Sequence, residues 1–106
     1  MKSFLKFVDS PKAPKSPEFE IPPGRSIFLG RRATCDLLLE DSMIAPVHCL
    51  VTLMPQIPDR LILVDLGGTN GTWMGDKKVT TEILKPGDEF SIAKTWRFRF
   101  LMPSQP

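Results

Sequence analysis

The chain has one histidine, two cysteines and no long hydrophobic run among its 106 residues. A membrane helix needs about 20 consecutive apolar residues, and since none are present we expect no membrane-spanning segment. Lys6 and Asp9 interrupt the apolar residues near the N-terminus, where a secretory signal would need an unbroken stretch, and this predicts a cytoplasmic protein. A single histidine without a Cys-x-x-Cys pair leaves a zinc site without enough ligands.

The two cysteines are Cys35 and Cys49, and a cytoplasmic setting favours their reduced forms. Both lie among apolar residues, which predicts small buried side chains. His48 and Cys49 are neighbours on a predicted strand and point to opposite faces, so they cannot form a nucleophile–base pair, whereas Cys35 with His48 stays open. Because no carboxylate or oxyanion site accompanies either pair, we expect no enzymatic activity.

The formal net charge is only +2, from 14 basic and 12 acidic residues. Nucleic-acid binding needs a concentrated basic face, so we expect no nucleic-acid partner. Arg97 and Arg99 share one face of the last predicted strand and are expected to be solvated. Four acidic residues in predicted turns are too scattered for a metal site, and no cofactor is expected. They are Glu40, Asp41, Asp65 and Asp88.

Strand signals dominate the chain, and no segment keeps a helical period beyond one or two turns. In the last strand Trp96, Phe98 and Phe100 face one way while the arginines between them face the other. The 11 prolines suit turns and sheet edges and disfavour helices. Many short strands separated by turns at close intervals predict an all-β sandwich or barrel.

The predicted strands follow one another along a single domain, 1–106, with a core of about residues 4–102 and a short tail or linker at 103–106. A proline-rich surface loop is predicted over residues 9–17, and turns over 22–24 and 55–59. The strands are predicted at 4–8, 19–21, 26–30, 35–39, 47–54, 60–66, 72–74, 78–79, 88–93 and 96–102.

A glycine-rich run at residues 65–75 reads Asp-Leu-Gly-Gly-Thr-Asn-Gly-Thr-Trp-Met-Gly and follows a predicted buried strand at 61–64. Its glycines allow unusual backbone angles and let another chain approach closely. Thr69 and Asn70 place a hydroxyl and an amide on this tight loop. Asn-Gly is also a signal for a plain hairpin turn, so turn formation alone is the alternative interpretation.

Two further segments carry candidate binding groups. In the first, Gly30 ends a strand and is followed by Arg31 and Arg32, whose guanidinium groups can offer planar forks of donors to a phosphate. In the second, residues 39–51, a loop runs into a strand with His48 at the join.

The order and spacing of these segments resemble the forkhead-associated (FHA) domain over about residues 4–102. The resemblance implies a β-sandwich of about eleven short strands in two sheets, whose loops at one end bind phosphothreonine peptides of partner proteins without covalent chemistry. The residues that carry it are Gly30-Arg31, Cys35-Asp36-Leu37, His48, Asp65-Leu66, Thr69-Asn70-Gly71-Thr72, Leu84 and Gly87-Asp88.

The resemblance also implies roles for single residues. Arg31 matches the arginine that reaches the phosphate, Thr69 the threonine that shapes the pocket, and Asn70 the asparagine that hydrogen-bonds the peptide backbone. His48 matches a histidine that braces the preceding loop and does not touch ligand. The positions that the resemblance marks as structural are Gly30, His48 and Gly71. The implied partner is a phosphorylated protein or peptide, the substrate of a Ser/Thr kinase.

The chain departs from the family pattern at three positions. Ala45-Pro46-Val47-His48 stands where the family usually has Ser-Arg-x-His, and Gly68 replaces the usual serine before the threonine. Alanine has no hydroxyl to bond the phosphate, and proline has no backbone N–H. A hydrogen bond to a charged group is worth about 1.5–3 kcal/mol, so the missing serine alone predicts roughly ten- to a hundredfold weaker phosphate binding.

Three residues in the same loops are candidate substitutes for the missing groups: Arg32, Thr34 and Ser42. The departures also keep a second hypothesis open, in which a degenerate module binds unphosphorylated protein through a sandwich face or by self-association. Under the first hypothesis Arg31→Ala abolishes binding and leaves the fold intact, whereas under the second it has no effect.

Overall fold

The structure, a computed structural model, describes residues 2–9, 18–57 and 59–103. Within these residues the chain forms eleven strands and no helix. The strands are β1 (Phe4–Asp9), β2 (Glu18–Glu20), β3 (Ile27–Gly30), β4 (Leu37–Leu38), β5 (Cys49–Leu53), β6 (Leu61–Asp65), β7 (Thr72–Met74), β8 (Lys77–Lys78), β9 (Thr81–Leu84), β10 (Glu89–Ile92) and β11 (Trp96–Leu101).

The strands form two sheets. The six-stranded sheet has the order β2-β1-β11-β10-β7-β8, and the five-stranded sheet has the order β4-β3-β5-β6-β9. The two-residue β4 pairs parallel with β3, whereas the neighbouring pair β3–β5 is antiparallel. The predicted all-β sandwich of about eleven short strands in two sheets is therefore confirmed.

The apolar side chains at alternate positions of the strands fill the space between the two sheets. In β11, Trp96, Phe98 and Phe100 are buried, while Arg97 between them is exposed. The rings of Phe90 and Phe98 stack with their centroids 5.4 Å apart. Burying an aromatic side chain of this size removes 150–250 Å² from water, so these rings supply a large part of the hydrophobic stabilisation.

The predicted strands differ from the observed ones in several places. Asp9 ends β1 rather than opening a loop. Cys35 lies in a turn closed by its N–H on the carbonyl of Arg32, and β4 is confined to Leu37–Leu38. The sequence analysis missed β9, in which only Leu84 is buried, because an edge strand with exposed side chains lacks a clear apolar alternation. Residues 10–17 of the predicted loop and 104–106 of the predicted tail lie outside the described residues.

Pairing register brings three loops to one end of the sandwich. Leu29 pairs with Cys49, which pairs with Asp65, so the end of β3, the start of β5 and the end of β6 lie side by side. The loops that leave these points are called here the arginine loop (31–36), the histidine loop (39–48) and the glycine loop (66–71). In the part of the chain that the structure describes, no helix has the length and apolarity of a membrane span.

Candidate functional site

His48 hydrogen-bonds to the end of β3, to the histidine loop and to the glycine loop. Its side chain is fully buried, its N–H donates to the Leu29 carbonyl at 2.9 Å, and its carbonyl accepts from Leu66 at 2.9 Å. Ring Nδ1 accepts the N–H of Ala45 at 3.1 Å, and Nε2 lies 2.9 Å from the carbonyl oxygen of Gly71. Because a carbonyl only accepts, Nε2 carries the proton and the ring is the neutral tautomer. These contacts fit a structural role without access to ligand.

Asp65 holds the glycine loop at both ends. One carboxylate oxygen accepts the N–H of Gly67 at 3.0 Å, and the other accepts the hydroxyl of the buried Thr72 at 2.8 Å. The Nε2 of His48 lies 4.0 Å from the same carboxylate. The sequence analysis treated Asp65 as one of several scattered acidic residues. Its place two residues before a glycine was the available signal for a carboxylate that caps a tight turn.

Glycine is needed in the glycine loop for two different reasons, which Gly71 and Gly68 illustrate. Gly71 has φ +80°, which favours glycine, and its N–H closes the turn on the Gly68 carbonyl at 3.0 Å. At Gly68 the constraint is contact, because an added Cβ would lie 2.6 Å from Nδ1 and 2.5 Å from Nε2 of His48, with the carbon between them closer still. The ring of His48 therefore occupies the space that a serine side chain at position 68 would need.

The arginine and histidine loops are packed backbone to backbone. An added Cβ at the buried Gly30 would collide with the Pro46 carbonyl and lie 2.9 Å from the Cα of Val47. The Pro46 carbonyl also accepts the N–H of Arg32 at 2.9 Å and the thiol of Cys35 at 3.3 Å. This close approach fixes where the arginine loop leaves β3.

Arg31 is anchored while its terminal donors remain available. Its N–H donates to the Ala45 carbonyl at 3.1 Å, and its Nε donates to the Ile44 carbonyl at 3.0 Å. The side chain is exposed, and its two Nη groups have no partner among the described residues. A guanidinium held by Nε presents its remaining donors as a planar fork, the arrangement that suits a phosphate or carboxylate.

Asn70 also hydrogen-bonds to the histidine loop, at the residue next to Ile44. Its Nδ2 donates to the Met43 carbonyl at 2.8 Å, next to the Ile44 carbonyl that holds Arg31. Trp73 donates its indole N–H to the Asn70 carbonyl at 2.8 Å, which stabilises the turn of the glycine loop. Arg31 and Asn70 are therefore anchored on consecutive peptide groups although they lie far apart in sequence.

The remaining predicted site residues lie on the same loops and are exposed. Thr69 stands at the tip of the glycine loop, Arg32 and Thr34 belong to the arginine loop, and Ser42 belongs to the histidine loop. No hydrogen bond joins these four side chains to other described residues. The structure brings all four to one end of the sandwich. Ala45 uses its N–H and its carbonyl for His48 and Arg31, and its methyl group adds no polar contact.

Two lysines add positive charge beside the glycine loop. The Nζ of Lys94 lies 4.1 Å from the centre of the Trp73 ring, a cation–π arrangement. Lys78 pairs with Trp73 across β7 and β8, and its side chain passes next to Gly71. The sequence analysis did not single out either lysine, because their proximity to the loop depends on strand pairing.

Neither thiol is arranged for catalysis. Both ring nitrogens of His48 are already bonded to backbone groups, so His48 is not placed as a base for Cys35, whose thiol donates to Pro46. Burial raises the pKa of Cys49 well above that of a free thiol, and the charges of Asp65 and Cys35 add to the rise. The described residues contain no group of three or more potential metal ligands.

Comparison with known proteins gives a family. Residues 27–93, more than half of the chain, match the family model of the FHA domain. A probable serine/threonine-protein kinase of Dictyostelium discoideum, fhkA, is 27% identical over 78 residues; the match covers 66% of this chain and only 13% of the kinase.

Solved structures show the same fold. The FHA domain of the CT664 protein from Chlamydia trachomatis superposes with a TM-score of 0.83 at 19% identity, covering 98% of this chain and 100% of that one. The MEK1 FHA domain in complex with the HOP1 pThr318 peptide gives a TM-score of 0.75 at 21% identity, covering 96% and 97% of the two chains. With the family match over residues 27–93, these findings establish that the chain belongs to the FHA domain family.

Proposed function

We propose that this domain is a non-catalytic signalling module that binds phosphothreonine-containing segments of partner proteins at its three loops. The observation that carries the proposal is the anchored Arg31, whose Nε is held by the Ile44 carbonyl while its terminal fork faces solvent. A phosphate that meets this fork gains charge-assisted hydrogen bonds from a donor that is already oriented. Thr69 lines the pocket beside the phosphothreonine, and Asn70 holds the backbone of the bound segment.

Several observations support this ligand class. Asn70 keeps its amide oxygen and one N–H unused by the described residues, so it can pair with a peptide while its other N–H stays on Met43. A solved relative, the MEK1 FHA domain, binds a phosphothreonine peptide. A probable Ser/Thr kinase contains a segment similar to this chain, which supports a role for the domain alongside Ser/Thr phosphorylation. Arg32, Thr34 and Ser42 are secondary candidates for contact with the phosphate.

The test is binding to a degenerate phosphothreonine peptide library, with the unphosphorylated library as the reference and Arg31→Ala as the key variant. We expect micromolar binding that requires the phosphate and falls at least tenfold in Arg31→Ala, because one charge-assisted contact is worth about 1.5–3 kcal/mol. Arg31→Lys should restore only part of the affinity, since a lysine offers a point charge and no fork.

The matched control is Arg97→Ala, which removes the same charge from the exposed face of β11, on the other sheet. Its affinity should equal that of the unaltered protein. Binding that ignores the phosphate, or that survives Arg31→Ala in a folded protein, would contradict the proposal and favour the phosphorylation-independent hypothesis.

Ala45→Ser should strengthen binding. The backbone of residue 45 is already fixed by His48 and Arg31, so a hydroxyl can be added without rearranging the loop. One new hydrogen bond to the phosphate is worth about 1.5–3 kcal/mol, which predicts a ten- to hundredfold lower Kd. Calorimetric titration with a peptide selected from the library measures the gain. The gain should disappear in the Ala45→Ser, Arg31→Ala double variant, and an unchanged Kd in the single variant would contradict the prediction.

A further inference from the structure

The turn between β10 and β11 lies beside the glycine loop. The N–H of Ala93 donates to the carbonyl of Gly71 at 2.9 Å, which ties the turn to the last residue of that loop. We call residues 93–95 the lysine turn, because the exposed Lys94 stands at its centre. A fourth loop therefore borders the three that form the candidate site.

The backbone of the lysine turn is strained. Ala93 has a φ of 55° and Lys94 a φ of 61°, in the left-handed region that glycine and asparagine enter most easily. No other non-glycine residue in the described part of the chain has a positive φ. Asparagine and glycine would form such a turn at a lower cost. Because strain of this kind collects at functional sites, the turn indicates a role for the side chain that it presents.

The side chain of Lys94 lies over the ring that holds Asn70. Its Nζ is 4.1 Å from the centre of the Trp73 ring, and the indole N–H of Trp73 donates to the Asn70 carbonyl at 2.8 Å. The ammonium group is therefore within about 10 Å of the residue that is proposed to hold the peptide backbone, which is the length of about three extended residues. A side chain of the bound segment can reach it.

Lys78 lies next to the same ring. It pairs with Trp73 across β7 and β8. A Cβ added at Gly71 would lie 2.9 Å from Cε of Lys78 and 2.9 Å from the indole nitrogen of Trp73. The stem of Lys78 therefore passes close to the end of the glycine loop, and its charge joins that of Lys94 beside the candidate site.

Neither ammonium group is neutralised by an acidic side chain. Lys78 and Lys94 are exposed, and neither forms an ion pair with a carboxylate of the described residues. Glu89, on the strand before the lysine turn, is paired with Arg99. Asp76, in the turn between β7 and β8, is exposed and makes no ion pair with either lysine. Both lysines are therefore available to a ligand.

We propose that Lys78 and Lys94 bind acidic side chains of the partner segment that lie close in sequence to its phosphothreonine. This inference rests on the proposed function, since it assigns the residues that flank the phosphate. Arg31 and the two lysines place three cations at one end of a chain whose net charge is only +2. A segment with aspartate or glutamate near the phosphothreonine complements this charge, which favours it over neutral and basic segments.

The test uses phosphothreonine peptides in which one glutamate is moved through an alanine background, over about four residues on either side of the phosphothreonine, a reach of about 13 Å in extended conformation. Titration at about 0.1 M salt, where the screening length is about 10 Å, keeps charge contacts measurable. At one or more positions we expect glutamate to lower the Kd about two- to fivefold relative to alanine, the effect of an exposed charge pair. At about 1 M salt this preference should vanish.

The preference should disappear in the Lys78→Ala, Lys94→Ala double variant, while its phosphate dependence remains. The Lys78→Glu, Lys94→Glu variant should instead prefer lysine at the same peptide position. Circular dichroism verifies the fold of each variant. The matched control is Lys85→Ala, which removes the same charge from an exposed turn at the opposite end of β10 and should keep the full preference for glutamate.

The outcomes separate this inference from the proposed function. Phosphate-dependent binding without a preference for glutamate would overturn the inference alone. A preference that survives the double variant, or that Lys85→Ala removes equally, would also overturn it. Absence of phosphate-dependent binding to every peptide would overturn the proposed function and this inference together.

Discussion

Replacing Gly68 by alanine is expected to lower the free energy of unfolding by about 3 kcal/mol, the upper part of the usual range for overpacked sites. The added Cβ would lie 2.5–2.6 Å from the two ring nitrogens of His48. The ring cannot move aside, since it is fully buried and both nitrogens are hydrogen-bonded to different loops. For a chain of this size the melting temperature should fall by roughly 10–20 °C, which thermal denaturation measures.

A double-mutant cycle tests the cause. If contact with the ring is responsible, Gly68→Ala should cost less than about 1 kcal/mol in a His48→Ala background, because the space is then empty. Thr69→Ala, at the exposed neighbouring position, should leave the melting temperature nearly unchanged. Equal costs of Gly68→Ala in both backgrounds would show that the ring is not the obstacle.

The close contact between position 68 and the His48 ring also predicts the effect of serine at this position. Gly68→Ser introduces the serine of the family pattern to which the chain was compared in the sequence analysis, and a substitution toward a family pattern usually stabilises a protein. Here it should destabilise at least as much as alanine, because its side chain begins with the same Cβ. Glycine at position 68 therefore leaves the space that the ring of His48 occupies.

Replacing His48 by alanine is expected to lower the free energy of unfolding by about 3 kcal/mol or more, from a buried cavity and lost hydrogen bonds. The N–H of Ala45 would lose its acceptor, whereas the carbonyl of Gly71 would keep the N–H of Ala93. The loss should therefore be concentrated in the histidine loop. Hydrogen exchange should show faster exchange at Ala45 than at Ala93, and chemical denaturation gives the total loss.

His48→Leu separates the two contributions. Leucine fills part of the space of the ring but accepts no hydrogen bond, so the cost that remains reports the lost polar contacts. Under the proposed function, both variants should also weaken phosphopeptide binding, since the backbone that holds Arg31 depends on this loop. Stability of His48→Ala within about 1 kcal/mol of the unaltered protein would contradict a bracing role.

The core of the fold was predictable because its signals are local. The apolar runs of β5 and β6 and the alternation of β11 identify strands to within one or two residues. At the edge of the five-stranded sheet the apolar pattern is too weak to predict a strand. There β9 is held by pairing with β6 and has only one buried residue. Sequence position alone cannot show that Thr81–Leu84 finds a partner there.

The candidate site was predictable in its composition and not in its contacts. The resemblance pointed to Arg31, Thr69 and Asn70, and the structure brings them to one end of the sandwich. The hydrogen bond of Asn70 to Met43 joins residues 27 positions apart, and that of His48 to Gly71 joins residues 23 apart. Such pairings depend on how the loops are assembled, which no local pattern encodes.

The two tryptophans of the chain provide separate magnetic reporters of the glycine loop and the histidine loop. The chain has no tyrosine, so its near-ultraviolet emission comes from Trp73 and Trp96 alone. Trp73 bonds to Asn70 in the glycine loop, and Trp96 donates to the carboxylate of Asp41 in the histidine loop at 2.8 Å. Their indole N–H resonances therefore give one signal for each loop, and a titration can follow which loop responds to a ligand without any attached label.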